Sequence, residues 1–406
     1  MHVLYVHKNF PAQFGHVADY LADQHGFRCT FVSERSNAHE QNVERIPYRI
    51  RGGATAKTHY CSRTFENAVW HTHAIYEALE ARPDIRPDLI VGHSGFGTTL
   101  FLRELYDCPI LNYFEYFYRP EGADMDFRPD FPSSDLTRLR ARARNAMLLL
   151  DLENCDAGYS PTRWQRDRLP QLFHPKVQTI FDGVDTKLWK PTVDGPRKVG
   201  ERIIPDDVKI VTYVSRGFES MRGFDIFMKA ARRLCNLRND VIFVAVGVDR
   251  VFYGGDEEVT GDRSFKQWVI DQDDYDLSRF IFPGRLAAGD LAALFSISDL
   301  HVYLTVPFVL SWSIMNALAC EATVLASDTA PVREMIEHEH NGLLVDFFDV
   351  DALVKSAGAV LDDPRQYKPL GAAGRAMIDE KYSLDVCLPQ MLKCYQDVVS
   401  AGTSGH

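Results

Sequence analysis

Short apolar runs alternate with stretches of helical periodicity from the first residue onward. Val3 to Val6 is one such run, and Phe14, Val17, Ala18 and Leu21 follow at helical spacing over 13–24. Cys29 to Val32 reads as a second strand, 65–81 as a helix, Leu89 to Gly92 and Ile110 to Phe114 as strands, 134–152 as a helix and 156–160 as a further strand. Strands that are apolar almost throughout, separated by helices, predict a parallel sheet covered on both faces.

The pattern then starts again. Between Leu188 and Asp207 the chain turns polar and carries Pro191, Gly195, Pro196, Gly200 and Pro205, which is linker composition. After it come a strand over 208–214, a helix over 223–237, strands over 241–246 and 279–282, a helix over 289–296, a strand over 300–304, a helix over 311–319 and a strand over 323–326. The expected architecture is α/β, with two doubly wound units facing a central cleft. The first domain is placed at 1–190, the linker at 191–207, the second domain at 208–380 and a C-terminal segment at 381–406. In such sheets ligands collect beyond the carboxyl ends of the strands, where helix N-termini present free N–H groups.

Composition narrows the class. A chain of 406 residues exceeds what one core ordinarily holds, which agrees with two domains. No run approaches the length of a membrane-spanning helix, and the opening residues read as a buried strand rather than a signal peptide, so a cytoplasmic protein is expected. A net charge of -11 argues against nucleic acid as a partner. The eight cysteines are scattered without a C-x-x-C pair and read as free thiols. His71 and His73 lack the companions a metal site needs, and no metal or other cofactor is expected.

Candidate chemistry sits just after the predicted strands. Arg216 and Arg222 flank a turn that opens a helix. Two guanidinium forks beside a helix N-terminus suit a diphosphate, although the spacing alone fits a solvated loop as well. Pro307 stops the strand over 300–304, and Ser311 or Ser313 can cap the helix that follows. His93 ends a strand ahead of the glycine-rich Ser94-Gly95-Phe96-Gly97, and Glu115 ends the next. The turn after the first strand carries Phe10 and Gln13. Asp182-Gly183 reads as a turn between the domains. Arg138, Arg140, Arg142 and Arg144 form two i,i+4 pairs on one predicted helix. They suit either docking to an anionic membrane or a solvated, ion-paired face.

Several stretches together resemble glycosyltransferase family 4, in particular a bacterial group that shares them. They are HKNFPAQF at 7–14, GHSGFG at 92–97, YFEYFYR at 113–119, DGVDTKLW at 182–189, SRGFESMRGF at 215–224, HVYLTVPFVLSWS at 301–313, ASDTAPVREMI at 326–336 and NGLLVDFFD at 341–349. The resemblance runs in order along nearly the whole chain. It implies the GT-B architecture, with a C-terminal helix crossing back to the first domain. It also implies a retaining, metal-independent transfer of a hexose from a UDP- or GDP-sugar to a hydroxyl acceptor held by the first domain. Assembly of surface polysaccharide or glycolipid is the implied setting, with a peripheral contact at the inner face of the membrane where the acceptor is lipid-linked.

The resemblance also implies roles for residues. Arg216 and Arg222 match the two cations that hold the donor diphosphate, and His93 a histidine beside the transferring sugar. Phe308, Leu310, Ser311, Trp312, Ser313 and Asn316 fall in the donor motif, while Phe10, Gln13 and Glu115 fall where acceptor or sugar is met. Three positions depart from the family pattern. Phe308 and Asn316 stand where carboxylates are usual, and Glu321 stands where a glycine ordinarily caps the helix. These departures leave an alternative, a catalytically weakened protein serving as a binding or scaffold partner of another glycosyltransferase.

Overall fold

The computed structural model describes residues 1–36, 43–192 and 197–403, so 193–196 of the expected linker and 404–406 of the C-terminal segment lie outside the described residues. The chain divides into two compact units. The first comprises Met1–Pro120, Ser134–Gly183 and the chain from Asp385 onward, and the second Glu121–Ser133 with Val184–Leu384.

The first unit is built on a parallel sheet whose strands are β1 His2–Val6, β2 Arg28–Ser33, β3 Glu44–Pro47, β4 Leu89–His93, β5 Ile110–Tyr113, β6 Ala157–Ser160 and β7 Val177–Thr179. Their spatial order is β3-β2-β1-β4-β5-β6-β7. Successive side chains leave opposite faces of a strand, and two cores result. Val3, Tyr5, Leu89, Val91, Leu111 and Tyr113 join one, while Leu4, Val6, Ile90 and Ile110 join the other. Three helices of this unit matter below: α1 Gly15–His25, α2 Arg63–Glu80 and α3 Asp135–Asn154.

The second unit repeats the plan with β8 Lys209–Gly217, β9 Val241–Val248, β10 Phe280–Gly284, β11 Leu300–Tyr303, β12 Val324–Ser327 and β13 Leu343–Val345. Its order is β10-β9-β8-β11-β12-β13. Both sheets therefore contain the 3-2-1-4-5-6 order of dinucleotide-binding folds, which reverses direction beside the first strand of each unit. The helices used below are α4 Phe224–Leu237, α5 Trp312–Ala319, α6 Pro364–Met377 and α7 Leu384–Thr403.

Two features differ from the sequence expectation. The division between units falls at Gly183–Val184, ahead of the polar stretch at 191–207. Val184 is fixed there by its N–H to Tyr382 O (2.7 Å) and its carbonyl to Leu384 N–H (2.9 Å). The described part of 191–207 packs with the second unit and includes a small antiparallel pair, Lys198–Val199 with Arg202–Ile203. The second feature is the excursion Glu121–Ser133, which leaves the first unit to join the second. Arg128 anchors it. Its guanidinium, with side chain 3% exposed, makes a two-point contact with Asp225 at the start of α4 (2.8 and 2.7 Å) and donates to Ser220 O (2.8 Å).

Helix α7 returns to the first unit, where Met391, Cys394, Tyr395 and Val398 bury into the same core as Val3 and Tyr5. Among the described residues, no helix is long and apolar enough to cross a membrane.

Candidate functional site

In the first unit the carboxyl ends of β1, β4 and β5 gather three of the sequence candidates. His93 is the last residue of β4 and is wholly buried. Its Nδ1 lies 3.2 Å from Ser94 O, its Nε2 is 3.2 Å from Gln13 Nε2, and Glu115 Oε2 is 3.8 Å from that Nε2. A carbonyl can only accept, so Nδ1 carries the proton and Nε2 accepts from the Gln13 amide. Burial holds the imidazole pKa well below its ordinary value, and neighbouring His7 pushes in the same direction. His93 is thus a neutral hydrogen-bonding group.

Phe10 does not join this group. Its ring is buried in the core against Phe31, centroids 5.0 Å apart, so its side chain is committed to packing. The loop after β4 is held tightly instead. A side chain at Gly97 would lie 2.0 Å from Val6 O, so only glycine lets the loop lie on β1. Asp151 of α3, fully buried, accepts from Ser94 Oγ and Thr98 Oγ1, each at 2.7 Å, and burial lifts its pKa to about 6.

Two further groups here were not assigned from sequence. His7 follows β1 as His93 ends β4. It is buried, its Nδ1 bonds Asn9, its Nε2 has no hydrogen-bond partner among the described residues, and its ring centroid lies 5.1 Å from that of His93. The signal was available: VLYVH and LIVGH are two apolar runs that each close on a histidine. Asp182, read as part of a turn, is buried, and its carboxylate accepts from Tyr113 OH (3.3 Å) while its carbonyl accepts from His16 Nε2 (2.7 Å). Burial, and next the charge of Glu115, raise its pKa to about 7.

In the second unit the site grows from the ends of β8 and β11. Arg222 is 6% exposed, which is unusual for a cation. Nη1 donates to Thr305 Oγ1 (2.8 Å), and the guanidinium lies 5.7 Å from the Tyr253 ring centroid and 5.6 Å from that of Phe308. Among the described residues no carboxylate pairs with it. Glu219 feels its charge but forms no ion pair with it. Arg216 is exposed and lies over the Phe252 ring at 4.2 Å.

The turn between the two arginines is fastened to the loop after β9. Glu219, wholly buried, accepts at Oε2 from the N–H groups of Phe252 (2.7 Å) and Tyr253 (3.0 Å), and burial lifts its pKa to about 7. Asp256 reaches the other way and accepts from Ser220 N–H (2.7 Å) and Ser220 Oγ (2.5 Å). Gly217 permits the approach, because a side chain there would lie 2.1 Å from Arg250 O.

Ser311 caps α5, its Oγ accepting from Ser313 N–H (3.2 Å), and its own N–H donates to Tyr303 OH (2.9 Å). Trp312, first in the helix, is 49% exposed, whereas Leu310, Ser313 and Asn316 are buried. The Asn316 amide makes no hydrogen bond to the described residues. Phe308 packs on Tyr253 at 5.2 Å. Glu321 takes the left-handed conformation that the missing glycine implied, with φ 59°.

The basic face of α3 is smaller than its sequence suggests. Arg140 is engaged with Tyr60 (Nη1 to OH 2.9 Å), and Arg144 lies over the Tyr118 ring at 3.7 Å. Among the described residues no cluster of metal-ligating side chains is found.

A glycosyl transferase family 4 group model matches residues 25–189, and a glycosyl transferases group 1 model matches 196–377. The alpha-maltose-1-phosphate synthase of Mycolicibacterium smegmatis is 24% identical over 267 residues, covering 61% of this chain and 64% of the synthase. The GDP-mannose-dependent alpha-(1-6)-phosphatidylinositol monomannoside mannosyltransferase of the same organism is 26% identical over 224 residues, 53% of this chain and 55% of that one. The matches thus span less than two thirds of these relatives. Among solved structures, sucrose-phosphate synthase of Thermosynechococcus elongatus aligns with a TM-score of 0.74 at 20% identity over 98% of this chain and 99% of that one. Anabaena HepE, solved with UDP and glucose, gives 0.66 at 14% identity over 98% and 100%. Likeness at these identities is one of fold, and the fold is the GT-B architecture.

Proposed function

Because the chain belongs to glycosyltransferase family 4, we propose that it moves a sugar from a nucleotide-diphosphate donor to a hydroxyl acceptor. Buried Arg222, a cation with no carboxylate partner among the described residues, carries this reading. A guanidinium taken out of water without a counter-ion is costly, and a bound anion offsets that cost. Arg216 and the Ser311-capped end of α5 add positive potential suited to a diphosphate. As the bond from the anomeric carbon to the diphosphate oxygen breaks, negative charge collects on that oxygen. Fixed cations stabilise it more in the transition state than before it. This arrangement needs no metal ion, and metal-independent transfer is part of the proposal.

In the first unit, neutral His93 holds the Gln13 amide through Nε2, and a sugar hydroxyl that displaced that amide would donate to Nε2 in its place, with Glu115 beside it. The proposed reaction retains the anomeric configuration. The donor base is uracil or guanine: HepE was solved with UDP, and the mannosyltransferase relative is named for its use of GDP-mannose. Cytoplasmic assembly of surface polysaccharide or glycolipid is the proposed setting. A lipid-linked acceptor would bring exposed Arg142, Leu136 and Leu139 of α3 to an anionic membrane. Co-sedimentation with anionic and neutral vesicles tests that contact.

The first test is thermal unfolding of the full chain against UDP, GDP, ADP, TDP and CMP without added metal. A ligand of the folded state raises the midpoint. A shift with UDP or GDP is expected, followed by transfer from the matching sugar and the product anomer read by NMR. No shift at millimolar nucleotide would sink the donor reading. It would favour the scaffold alternative, for which Phe308 in place of a carboxylate is the supporting observation.

A further inference from the structure

The two donor-site arginines rest on aromatic rings that belong to another loop. Arg216 lies over Phe252 and Arg222 beside Tyr253. Glu219, within the arginine turn itself, fixes the backbone that carries those rings. A single carboxylate oxygen, Oε2, takes both the Phe252 and Tyr253 N–H groups. Its other oxygen, Oε1, is buried with no hydrogen-bond partner among the described residues. An orphaned carboxylate oxygen in a dry interior is expensive, and apolar packing alone would not select it. Asp256 closes the opposite side through Ser220, so each loop holds the other's backbone through a buried carboxylate.

We propose that Glu219 is a positioning residue for diphosphate binding: it holds the Phe252–Tyr253 loop as an aromatic seat that orients Arg216 and Arg222. This inference rests on the donor reading above and deepens it. Arginine that is stacked in place before a ligand arrives loses less side-chain freedom on binding, so affinity depends on a residue that need not touch the ligand. The seat also explains why glycine stands at 217. The end of β8 must pass within van der Waals contact of the Arg250 carbonyl and the Phe252 ring to bring Arg216 over that ring.

The hydrogen-bond geometry makes the proposal separable from a charge effect. A glutamine at 219 can place its amide oxygen where Oε2 sits and accept from both N–H groups, whereas alanine cannot. Amide exchange at Phe252 and Tyr253 in the ligand-free full chain, and affinity for UDP, GDP and inorganic pyrophosphate, are measured for wild type, Glu219→Ala, Glu219→Gln and Phe252→Leu. Glu219→Ala should speed exchange at both amides and weaken diphosphate binding about tenfold, as expected for two lost buried hydrogen bonds. Glu219→Gln should stay within about threefold of wild type on both readouts. Phe252→Leu should keep the amides protected yet weaken binding several-fold, because only the ring beneath Arg216 is lost.

Equal binding by wild type and Phe252→Leu would overturn the seat. Unchanged amide protection in Glu219→Ala, or a Glu219→Gln protein as impaired as the alanine form, would overturn the clamp. If Glu219→Ala does not fold, the glutamine and leucine variants decide. A wild type that binds none of the three probes overturns the donor reading and the role of the seat with it, while amide exchange still reports whether the clamp exists.

Discussion

The two units share one strand order and place their polar groups at equivalent strand ends, yet they furnish those ends with opposite chemistry. In the first unit the groups that end or follow β1, β4, β5 and β7 are a neutral imidazole, an amide and two carboxyl groups, His93, Gln13, Glu115 and Asp182. In the second the carboxylates face backbone N–H groups, and a buried guanidinium is left to meet something else. One set suits uncharged hydroxyls and the other an anion. The fold supplies the location twice, and the loops decide what each location can hold.

The largest test of that contrast concerns the excursion that the first unit lends to the second. Arg128 and Asp225 form a buried pair, so Arg128→Ala strands a carboxylate in the interior and should cost about 3–5 kcal/mol. A paired apolar replacement, Arg128→Met with Asp225→Leu, should recover most of that loss. Urea unfolding followed by circular dichroism measures both. A loss below about 1 kcal/mol for the single variant would mean that the excursion is not anchored there.

The acidic corner of the first unit is open to titration. Asp182 is raised from the ordinary aspartate value to about 7. The folded state therefore keeps a proton that the unfolded chain has lost, and its share of stability falls as pH rises from about 4 to about 7, then levels. Asp182→Asn has no such loss. It should match wild type near pH 4 and exceed it above pH 7 by up to about 4 kcal/mol. Glu115→Gln removes the second cause of the shift and should move the transition to lower pH. Stability measured across pH 4–8 decides, and parallel curves for wild type and Asp182→Asn would place the titration elsewhere.

In the second unit the matching experiment is Arg222→Met. Diphosphate affinity should fall about a hundredfold, while the ligand-free protein should be as stable or more stable, since a buried cation with no ion-pair partner among the described residues has been removed. Calorimetric titration with UDP and GDP, paired with urea unfolding, reads both. A ligand-free protein several kcal/mol weaker would show that this cation is structural, and the contrast between the units would fail.

These experiments also mark what sequence could and could not reveal. Central strands such as β1, β4, β8 and β11 are buried on both sides and announce themselves as apolar runs. Three of the four edge strands of the two main sheets, β3, β7 and β13, are three or four residues long, too short to carry a period, and their place is set by the neighbour they pair with. Arg216 and Arg222 stood out because they flank the turn between an apolar strand and a helix, and because they match the two cations of the family pattern. Glu219 did not. A carboxylate between two arginines reads as a solvated turn, and its burial is created by a loop more than thirty residues away in sequence. Asp182 was hidden in the same way, because Asp-Gly is ordinary turn chemistry until β5 and α1 close over it.

Glu321 is the one departure whose structural consequence was legible from a single residue. Helix α5 ends with Ala322 N–H bonded to Ala317 O (3.0 Å) and Glu321 N–H to Leu318 O (3.0 Å), a left-handed cap with glutamate where glycine is usual. Gly371 of α6 packs on this cap, since a side chain there would lie 2.2 Å from Glu321 O, so the cap cannot readily relax. Glu321→Gly should stabilise the protein by about 1 kcal/mol, and Glu321→Ala should not, because alanine meets the same steric penalty. The penalty argued here is steric rather than electrostatic, so the gain should be insensitive to salt. Equal gains for glycine and alanine would locate the cost in the charge rather than the backbone. An effect confined to stability, with nucleotide affinity unchanged, would separate this cap at the far end of α5 from the Ser311 end that faces the proposed diphosphate.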